Sequence, residues 1–476
     1  MHAILLALAV LFAPPHAGDD STPITADALE AHVRFLASDA LAGRDTGSAG
    51  SLEAAAYLAK QLEDAGLQPA GDDGGFLQSV PLHKLVSHGK PSLVIQRGSD
   101  KRQFEHGDHY SVSRNAAHKT GSLRVVQVPE GGPLPEPDAT LALSFADRRG
   151  AVRDMLEAAG RDHGEGYGML LFLGSKRDGK PRGPIRRRGL SPGSPDVTEA
   201  PPWIVARGAF RDVLEAGEVT QIKFAGACEL VAVEAVNVLA RIPGVGTTER
   251  PELAQQAIVI SAHYDHLGVI SEDRDAGTGR NGEPDRIYNG ADDDASGVAC
   301  VLEVARALAS GPPPAREVVI LLATGEERGL FGTLYYLDAP VVPLERTIAN
   351  LNVEMIGRAD PKAGGPGYVW YTGPDETNLL AAFVAAGVPV VRDPYPEEHY
   401  YQRSDNYAFV RRGIIGQSFS TYDGHKDYHH VTDEADTLDY VHMQGATRTT
   451  LDAIRLVASG AIDPEWAEGK EPPERH

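Results

Sequence analysis

Apolar runs suited to strands alternate with helical patterns between about Asn237 and Gly460. The runs read AIVISAH, EVVILLAT, TIANLNVEM and GIIGQSFST, and the segment VACVLEVARALAS between the first two has helical spacing. Such alternation is typical of a mostly parallel or mixed central sheet with helices on its faces. The sequence therefore predicts an α/β fold, in which ligands bind at the carboxyl ends of the strands.

Side chains that bind metals stand at the ends of three of these runs. His263 ends AIVISAH, Glu326 and Glu327 follow EVVILLAT, and Glu354 lies at the end of TIANLNVEM. This shared placement predicts that the four side chains converge on one site. Imidazole and carboxylate groups bind zinc, and two cysteines in the whole chain cannot supply a thiolate site.

Two further motifs add candidates. In SAHYDHLG, Asp265 can orient the imidazole of His263 or bind metal itself, and His266 competes with His263 as the ligand. In NGADDDASG, residues 292–294 are three consecutive acids before a helical pattern. Acids are common at helix N-termini because the helix dipole favours them. Three adjacent carboxylates also repel one another, and a pair of divalent ions would relieve that repulsion, so Asp293 is the predicted bridging ligand.

The glutamate pair and a histidine-rich segment complete the set. Glu326 and Glu327 reach one site only if the chain turns, which Gly325 allows. One glutamate can then bind metal while the other stays free and transfers protons, although an exposed acidic pair is the alternative. Four histidines follow later in the chain, and spacing alone does not show which of them would bind metal. They are His399, His425, His429 and His430.

Together these residues predict a two-metal hydrolase. Two ions about 3.5–4 Å apart can share one bridging carboxylate and one bridging water. Such a centre needs ligands and a base. Two histidines and three carboxylates are enough ligands, and one spare glutamate can be the base.

The rest of the chain divides by its composition. Residues 24–85 are predicted to form N-terminal helices of the same domain as residues 237–462, and residues 90–234 read as an inserted, mainly β domain. Residues 463–476 are predicted to be a disordered tail. Residues 1–17 contain an apolar run with the length of a signal peptide core, which predicts export to the periplasm or the medium. It is too short to span a membrane.

The formal net charge of -22 argues against nucleic acid as a partner, because nucleic-acid binding relies on clustered Lys and Arg. Peptides remain the expected partners, and the oligomeric state is left open.

Five ordered motifs carry a resemblance to a known family. HYDHLG, GADDDASG, ATGEERGLFG, NVEMIGR and DYHHVTDE closely resemble the di-zinc aminopeptidases of metallopeptidase family twenty-eight. The segments LASDALAGRDTGSAG and AAAYLAKQLEDAGLQP are similar to the N-terminal helices of that family. The resemblance implies the zinc exopeptidase fold, and the middle segment would resemble the protease-associated domain often inserted there.

The resemblance also implies two Zn2+ per chain and the ligands of each. His263 and Glu354 would bind the first metal, Glu327 and His429 would bind the second, and Asp293 would bridge the two.

Three more residues receive catalytic roles from the resemblance. Glu326 would be the general base for a bridging metal-bound hydroxide, Asp265 would orient His263, and Tyr428 would hydrogen-bond the oxyanion. The implied activity is that of an aminopeptidase, which hydrolyses N-terminal residues from peptides.

One departure from the family keeps other activities open. Glu354 stands where aminopeptidases of this kind commonly have Asp, and Glu there is a feature of carboxypeptidases in the wider clan. A carboxypeptidase or dipeptidase would need a cation for the substrate carboxylate, such as Arg403 or Arg411. A free substrate amine would need acids, such as Glu397 or Glu398. A glutaminyl-cyclase-like or non-catalytic binding relative is the remaining alternative.

Overall fold

A computed structural model describes most of the chain. It describes residues 24–87, 91–114, 119–145, 149–161, 164, 166–174, 190–192, 201–226, 228–272 and 274–472. The predicted signal peptide at residues 1–17 lies outside these ranges. The chain forms two compact units, residues 1–80 with 235–476 and residues 81–234. No helix in the described ranges combines the length and apolar character that a bilayer crossing needs.

Strands and helices follow one another along the whole described chain. In chain order the strands are β1 (Gln68–Pro69), β2 (Leu77–Ser79), β3 (Leu82–Ser87), β4 (Ser92–Arg97), β5 (Asp100–Phe104), β6 (Tyr110–Arg114), β7 (Leu123–Val128), β8 (Leu141–Phe145), β9 (Met169–Leu173), β10 (Leu190–Pro192), β11 (Trp203–Ala206), β12 (Gln221–Ala225), β13 (Cys228–Val233), β14 (Val236–Ile242), β15 (Ala257–His263), β16 (Gly268–Val269), β17 (Gly277–Thr278), β18 (Pro284–Asp285), β19 (Ile287–Tyr288), β20 (Glu317–Ala323), β21 (Thr347–Glu354), β22 (Val369–Tyr371), β23 (Val390–Arg392) and β24 (Ile415–Ser420). The helices are α1 (Ala26–Leu36), α2 (Ala49–Asp64), α3 (Arg149–Ala158), α4 (Gly208–Glu215), α5 (Gly297–Ser310), α6 (Phe331–Asp338), α7 (Leu379–Ala385), α8 (Asn406–Val410) and α9 (Tyr440–Ala458).

A mixed sheet organises the first unit. Its order is β1-β14-β20-β15-β21-β24-β22-β23, and β2 also pairs with β14. The central strands β20, β15, β21 and β24 are mutually parallel, while β14 and β22 join them antiparallel. Strands β15 and β20 are buried along their whole length, as expected for strands covered on both faces. The predicted α/β fold with a mixed central sheet is confirmed.

Helices cover this sheet through apolar faces that the sequence spacing predicts. Leu29, Val33 and Leu36 of α1 are fully buried in the main core cluster with residues of α2, α5 and α9. Thr25 begins α1 by accepting a hydrogen bond from the backbone N–H of Ala28 at 3.1 Å, which satisfies one free donor of the first turn. The segment at residues 24–85 is more than helical, since β1, β2 and β3 follow α2.

The second unit, residues 81–234, is mainly β with two helices. An eight-stranded sheet has the order β5-β4-β12-β7-β8-β9-β11-β6, and β10, β3 and β13 form a smaller sheet. The predicted helix near residues 151–160 corresponds to α3, whereas α4 was not predicted. The apolar faces of the larger sheet are buried in two clusters, one of which contains Phe210 of α4.

The tail differs from its predicted disorder as far as the structure describes it. Asp463 accepts hydrogen bonds from Arg250 at 3.0 and 3.1 Å and pairs with the buried guanidinium of Arg316. Glu465 exchanges hydrogen bonds with Asn378, and Trp466 packs on the main core. A composition rich in Pro, Glu and Lys did not reveal this order, because it comes from ion pairs with distant arginines.

Candidate metal centre

The parallel strands bring the predicted side chains to one edge of the sheet. His263 is the last residue of β15 and Glu354 is the last residue of β21, which is its parallel neighbour. Glu326 and Glu327 follow β20, the other neighbour of β15. Asp293 lies in the single turn of residues 291–296 that leads into α5.

A first ligand group consists of His263, Asp293 and Glu354. His263 Nε2 lies 3.3 Å from Asp293 Oδ1 and 3.3 Å from Glu354 Oε1. Burial alone would lower the pKa of His263, but the carboxylates of Glu354 and Glu326 raise it well above its ordinary value. One nitrogen and two oxygens therefore converge in a buried, strongly negative environment.

A second ligand group consists of Asp293, Glu327 and His429. His429 Nε2 lies 3.1 Å from Asp293 Oδ2 and 3.2 Å from Glu327 Oε1. Burial would lower the pKa of His429, but its contacts with these carboxylates raise it to about 10. Asp293 turns Oδ1 toward one group and Oδ2 toward the other, and it therefore lies between the two groups.

His266 joins the second group rather than competing with His263. Its Nδ1 lies 2.8 Å from Glu327 Oε1 and 3.8 Å from Asp293 Oδ2, and its side chain is fully buried. Burial and the Asp293 carboxylate would raise the pKa of Glu327, but the imidazoles of His266 and His429 hold it at about 2.

The two aspartates beside Asp293 bind protein groups instead. Asp292 Oδ1 accepts hydrogen bonds from the Ser296 hydroxyl and from the backbone N–H of Gly357 at 3.0 and 2.8 Å. Asp294 Oδ1 accepts from the backbone N–H of Met355 at 2.9 Å. Both neighbours therefore tie the turn of residues 291–296 to the end of β21, which places Asp293.

Asp433 holds the same turn from the other side. Its carboxylate accepts hydrogen bonds from the backbone N–H groups of Asp292 at 3.0 Å and Asp293 at 3.1 Å. Burial raises the pKa of Asp433 to about 6. No local pattern predicts this contact, because Asp433 lies 140 residues after Asp293 in the chain.

Asp265 contacts the glutamate turn more closely than the imidazole it was predicted to orient. Its Oδ1 accepts a hydrogen bond from the backbone N–H of Glu326 at 3.0 Å, and Oδ2 accepts from the Thr46 hydroxyl at 2.8 Å. His263 Nδ1 lies 3.1 Å from the backbone carbonyl of Asp265 and 3.8 Å from its carboxylate. Asp265 thus positions the segment that carries Glu326 and sets the His263 ring through its main chain.

Glu326 is the spare carboxylate of the centre. It lines the same cavity as Asp293, Glu327 and Glu354, and it belongs to neither ligand group. Burial raises the pKa of Glu326 well above its ordinary value, and repulsion from Glu354 adds to the effect. A carboxyl group that lies beside the ligand groups and belongs to neither is placed to accept and return a proton.

The far oxygen of Glu354 is held by neutral donors. The Ser404 hydroxyl donates to Glu354 Oε2 at 2.7 Å, and Asn352 Nδ2 donates to the same oxygen at 3.4 Å. Oε1 is thereby left to face His263 and Asp293. Glu354, whose side chain is longer than that of the Asp common in similar aminopeptidases, therefore presents a single oxygen to the first group.

An open cavity of about 560 Å³ adjoins both groups. Aromatic side chains form much of its wall, and Tyr428 stacks on the His429 ring with centroids 3.9 Å apart. Burial raises the pKa of the Tyr428 phenol, so that it stays protonated and can donate a hydrogen bond. The aromatic wall residues are Trp370, Tyr400, Tyr422 and Tyr428.

Arg403 is the one described lining residue with a permanent positive charge. Its guanidinium lies 5.1 Å from the centre of the Tyr400 ring and 3.9 Å from the exposed Glu398 carboxylate. Glu397, Glu398 and Arg411 are not among the lining residues described for this cavity.

The ligand groups fit divalent zinc on chemical grounds. Each offers imidazole nitrogen and carboxylate oxygen, the donors that zinc accepts. Asp293 Oδ2 and Glu327 Oε1 are buried and have no hydrogen-bond partner among the described residues. Buried carboxylate oxygens without partners are costly, and a cation bound between them would remove that cost.

The fold is of the α/β class, and two groups of imidazole and carboxylate side chains at the edge of its sheet could each hold a metal ion. Residues 237–454 match the sequence model of Peptidase family M28. The solved structure of an aminopeptidase from Aneurinibacillus sp. strain AM-1 has a similar fold, with a TM-score of 0.50 and 18% identity, and the match covers 94% of this chain and 96% of that one.

Two curated relatives are similar over short segments. Aminopeptidase YwaD of Bacillus subtilis is 35% identical over 91 residues, which are 17% of this chain and 20% of that protein. A probable zinc metalloprotease of Pyrenophora tritici-repentis is 31% identical over 134 residues, which are 27% of this chain and 23% of that protein. The matched segments therefore span less than a quarter of the length of either relative.

Proposed function

We propose that this chain is a zinc-dependent exopeptidase, and specifically an aminopeptidase that binds two Zn2+ and hydrolyses N-terminal residues from peptides. The observation that carries the proposal is the position of Asp293 between two ligand groups, with the uncoordinated Glu326 beside them in an open cavity. The match of residues 237–454 to the Peptidase family M28 model supports it, as do partial similarities to relatives described as an aminopeptidase and a probable zinc metalloprotease.

Zinc, when bound, would supply Lewis-acid chemistry, which polarises a peptide carbonyl and lowers the pKa of a water to about 7. His263, Asp293 and Glu354 would hold one ion, and Asp293, Glu327 and His429 would hold the other.

Glu326 provides the proton transfers. Its carboxylate takes a proton from the attacking water as the water oxygen bonds to the carbonyl carbon. The C–N bond then breaks, and Glu326 returns the proton to the leaving amine.

Tyr428 is the donor for the developing oxyanion. It lines the cavity with both ligand groups, and its stacking on His429 fixes the ring plane. A fixed neutral phenol stabilises the charge that develops on the carbonyl oxygen without rearranging during the reaction.

Arg403 favours one second candidate, a dipeptidase or carboxypeptidase. A guanidinium in the cavity wall can bind a substrate carboxylate, and this could be the C-terminus of a short peptide. Against this candidate, the Arg403 guanidinium already lies 3.9 Å from the Glu398 carboxylate.

The test combines metal analysis with a substrate panel. Purified full-length protein is analysed for zinc and assayed on aminoacyl amides, free dipeptides and amine-blocked dipeptides, with and without chelator. Two zinc ions per chain and chelator-sensitive cleavage of aminoacyl amides are expected. Cleavage restricted to amine-blocked substrates would favour the carboxypeptidase, cleavage restricted to free dipeptides would favour the dipeptidase, and a protein with neither zinc nor turnover would contradict all three.

We further propose that the protein is exported and that residues 81–234 form a protease-associated-like domain. The apolar run at residues 3–13 supports the first proposal. The mainly β composition of the second unit, inserted between two segments of the first, supports the other.

A further inference from the structure

We propose that His266 is a direct ligand of the second metal position, which then has two imidazole and two carboxylate ligands from the protein. The inference rests on the proposed zinc function and extends it, since it assigns a metal-binding role to a residue outside the five predicted ligands.

Two imidazole nitrogens approach the same pair of oxygens. His266 Nδ1 lies 2.8 Å from Glu327 Oε1 and 3.8 Å from Asp293 Oδ2. His429 Nε2 lies 3.2 Å and 3.1 Å from these same two atoms. Both nitrogens therefore approach the same two carboxylate oxygens, as ligands of a single ion do.

Four buried polar atoms around this point lack hydrogen-bond partners among the described residues. Neither ring nitrogen of His266 has a hydrogen-bond partner among the described residues, and the same is true of Glu327 Oε1 and Asp293 Oδ2. All four atoms are buried, and buried polar atoms without partners are rare because each is costly. A cation bound by Nδ1 and both oxygens would satisfy three of the four at once.

Packing holds the His266 ring in this position. The Cβ of any other residue at Gly290 would lie 2.6 Å from two ring atoms of His266, so only glycine leaves the ring its space. Tyr288 and His429 contact the ring edge-on, with centroids 6.5 and 5.8 Å away. The ring is therefore confined between its neighbours with Nδ1 facing the two carboxylates.

The assignment makes the two positions unequal. The second would have four protein ligands, the number found in closed zinc sites, whereas the first would have three, the number found in catalytic sites with an open position. Substrate would accordingly bind on the side of His263 and Glu354.

Zinc affinity of full-length variants separates a ligand from a residue that only positions Glu327. In His266→Asn the side-chain amide nitrogen lies near the place of Nδ1 and can still donate to Glu327, but it is a poor zinc ligand. Zinc is measured after dialysis against buffers of defined free zinc concentration. If His266 is a ligand, the affinity for one of the two zinc ions should fall by about 100-fold or more. Loss of a residue that only supports a ligand lowers metal affinity by about 10- to 100-fold.

The control is His430→Asn, which changes an exposed neighbouring histidine and is expected to retain both ions with unchanged affinity. If His266→Asn also binds both ions with native affinity, His266 is not a ligand and the inference is overturned. That result leaves the proposed function intact, whereas native protein that binds no zinc overturns the function itself.

A crystal structure of the zinc-loaded native protein provides a second readout that does not depend on a variant folding. Anomalous scattering at the zinc edge locates the ions. A distance of about 2.0–2.1 Å from Nδ1 to zinc is expected for a ligand. Zinc more than about 3 Å from Nδ1, with Nδ1 bonded to Glu327 instead, would overturn the inference.

Discussion

The two ligand groups share Asp293 but have opposite surroundings. Beside the first group stand additional acids, Glu326 and Asp405, and burial raises the pKa of both. Beside the second stands an additional imidazole, His266, which helps to hold the pKa of Glu327 at about 2. Without a cation, the acids near the first group therefore tend to hold protons, whereas those of the second group are ionised and paired with imidazoles.

This difference separates the tasks of the two groups. Excess carboxylate near the first group attracts a cation and includes a residue able to move protons. Additional nitrogen near the second group favours tight, fixed binding. We expect proton transfer to depend on the first side and metal retention to be stronger on the second.

The largest effect is expected from replacing Asp293, the residue that the two ligand groups share. Asp293→Asn replaces the charged bridge by a neutral amide, so both groups lose their common ligand. Zinc content should fall below one ion per chain, and turnover should fall by about 1,000-fold or more, since Lewis-acid stabilisation is worth several kcal/mol.

Zinc analysis and kcat measurements check this prediction. Asp294→Asn is the matched control, because Asp294 only accepts backbone hydrogen bonds and an amide oxygen can replace it. Equal zinc content in both variants would show that Asp293 does not connect the two groups.

Glu326→Gln should separate chemistry from metal binding. The amide keeps the size of the side chain but cannot take a proton, so kcat should fall by about 100- to 10,000-fold, while the zinc content stays native. The measurement is kcat on an aminoacyl amide together with zinc analysis of the same sample. Retained turnover would remove Glu326 from the mechanism, and lost zinc would make it a ligand.

Most of the first group could be predicted from sequence because its signals are local. His263 and Glu354 each stand at the end of an apolar run, and parallel strands bring such ends to one edge of a sheet. The mixed sheet itself was predictable from the same alternation of strands and helices.

The second group was harder to predict because tertiary contacts decide it. Among the histidines near residue 429, His425 lies 2.9 Å from the Asp292 carboxylate and His430 lies 3.1 Å from the Thr432 hydroxyl, whereas His429 faces Asp293 and Glu327. Spacing along the chain does not contain this distinction. His266 stands only three residues after His263, yet a turn places it on the opposite side of Asp293. The spacing of apolar residues along the chain does not predict such a turn.

Ser404→Ala should weaken the first group alone. The substitution removes the 2.7 Å hydrogen bond to Glu354 Oε2, which frees the carboxylate to rotate away from His263. Loss of a supporting contact of this kind lowers metal affinity by about 10- to 100-fold, so one of the two zinc ions should bind that much more weakly.

Ser420→Ala is the control, since Ser420 lines the same cavity but donates to the backbone of Met355. Equal losses in both variants would argue against a specific role for Ser404.

The smallest effect is expected from Asp405, and it depends on pH. Burial raises its pKa from 3.8 to about 7, and neither carboxylate oxygen has a described hydrogen-bond partner. Below about pH 4 the group is protonated in both states. As the pH rises toward 7, Asp405 ionises first in the unfolded chain, so the native state loses stability over this pH range.

Asp405→Asn should therefore raise the free energy of unfolding of chelator-treated protein by about 1–4 kcal/mol more at pH 8 than at pH 4.5. Urea denaturation at the two pH values measures this difference, with the exposed Asp423→Asn as control. The same change at both pH values would mean that Asp405 is ionised in the folded protein, and the contrast between the two surroundings would then rest on Glu326 and His266 alone.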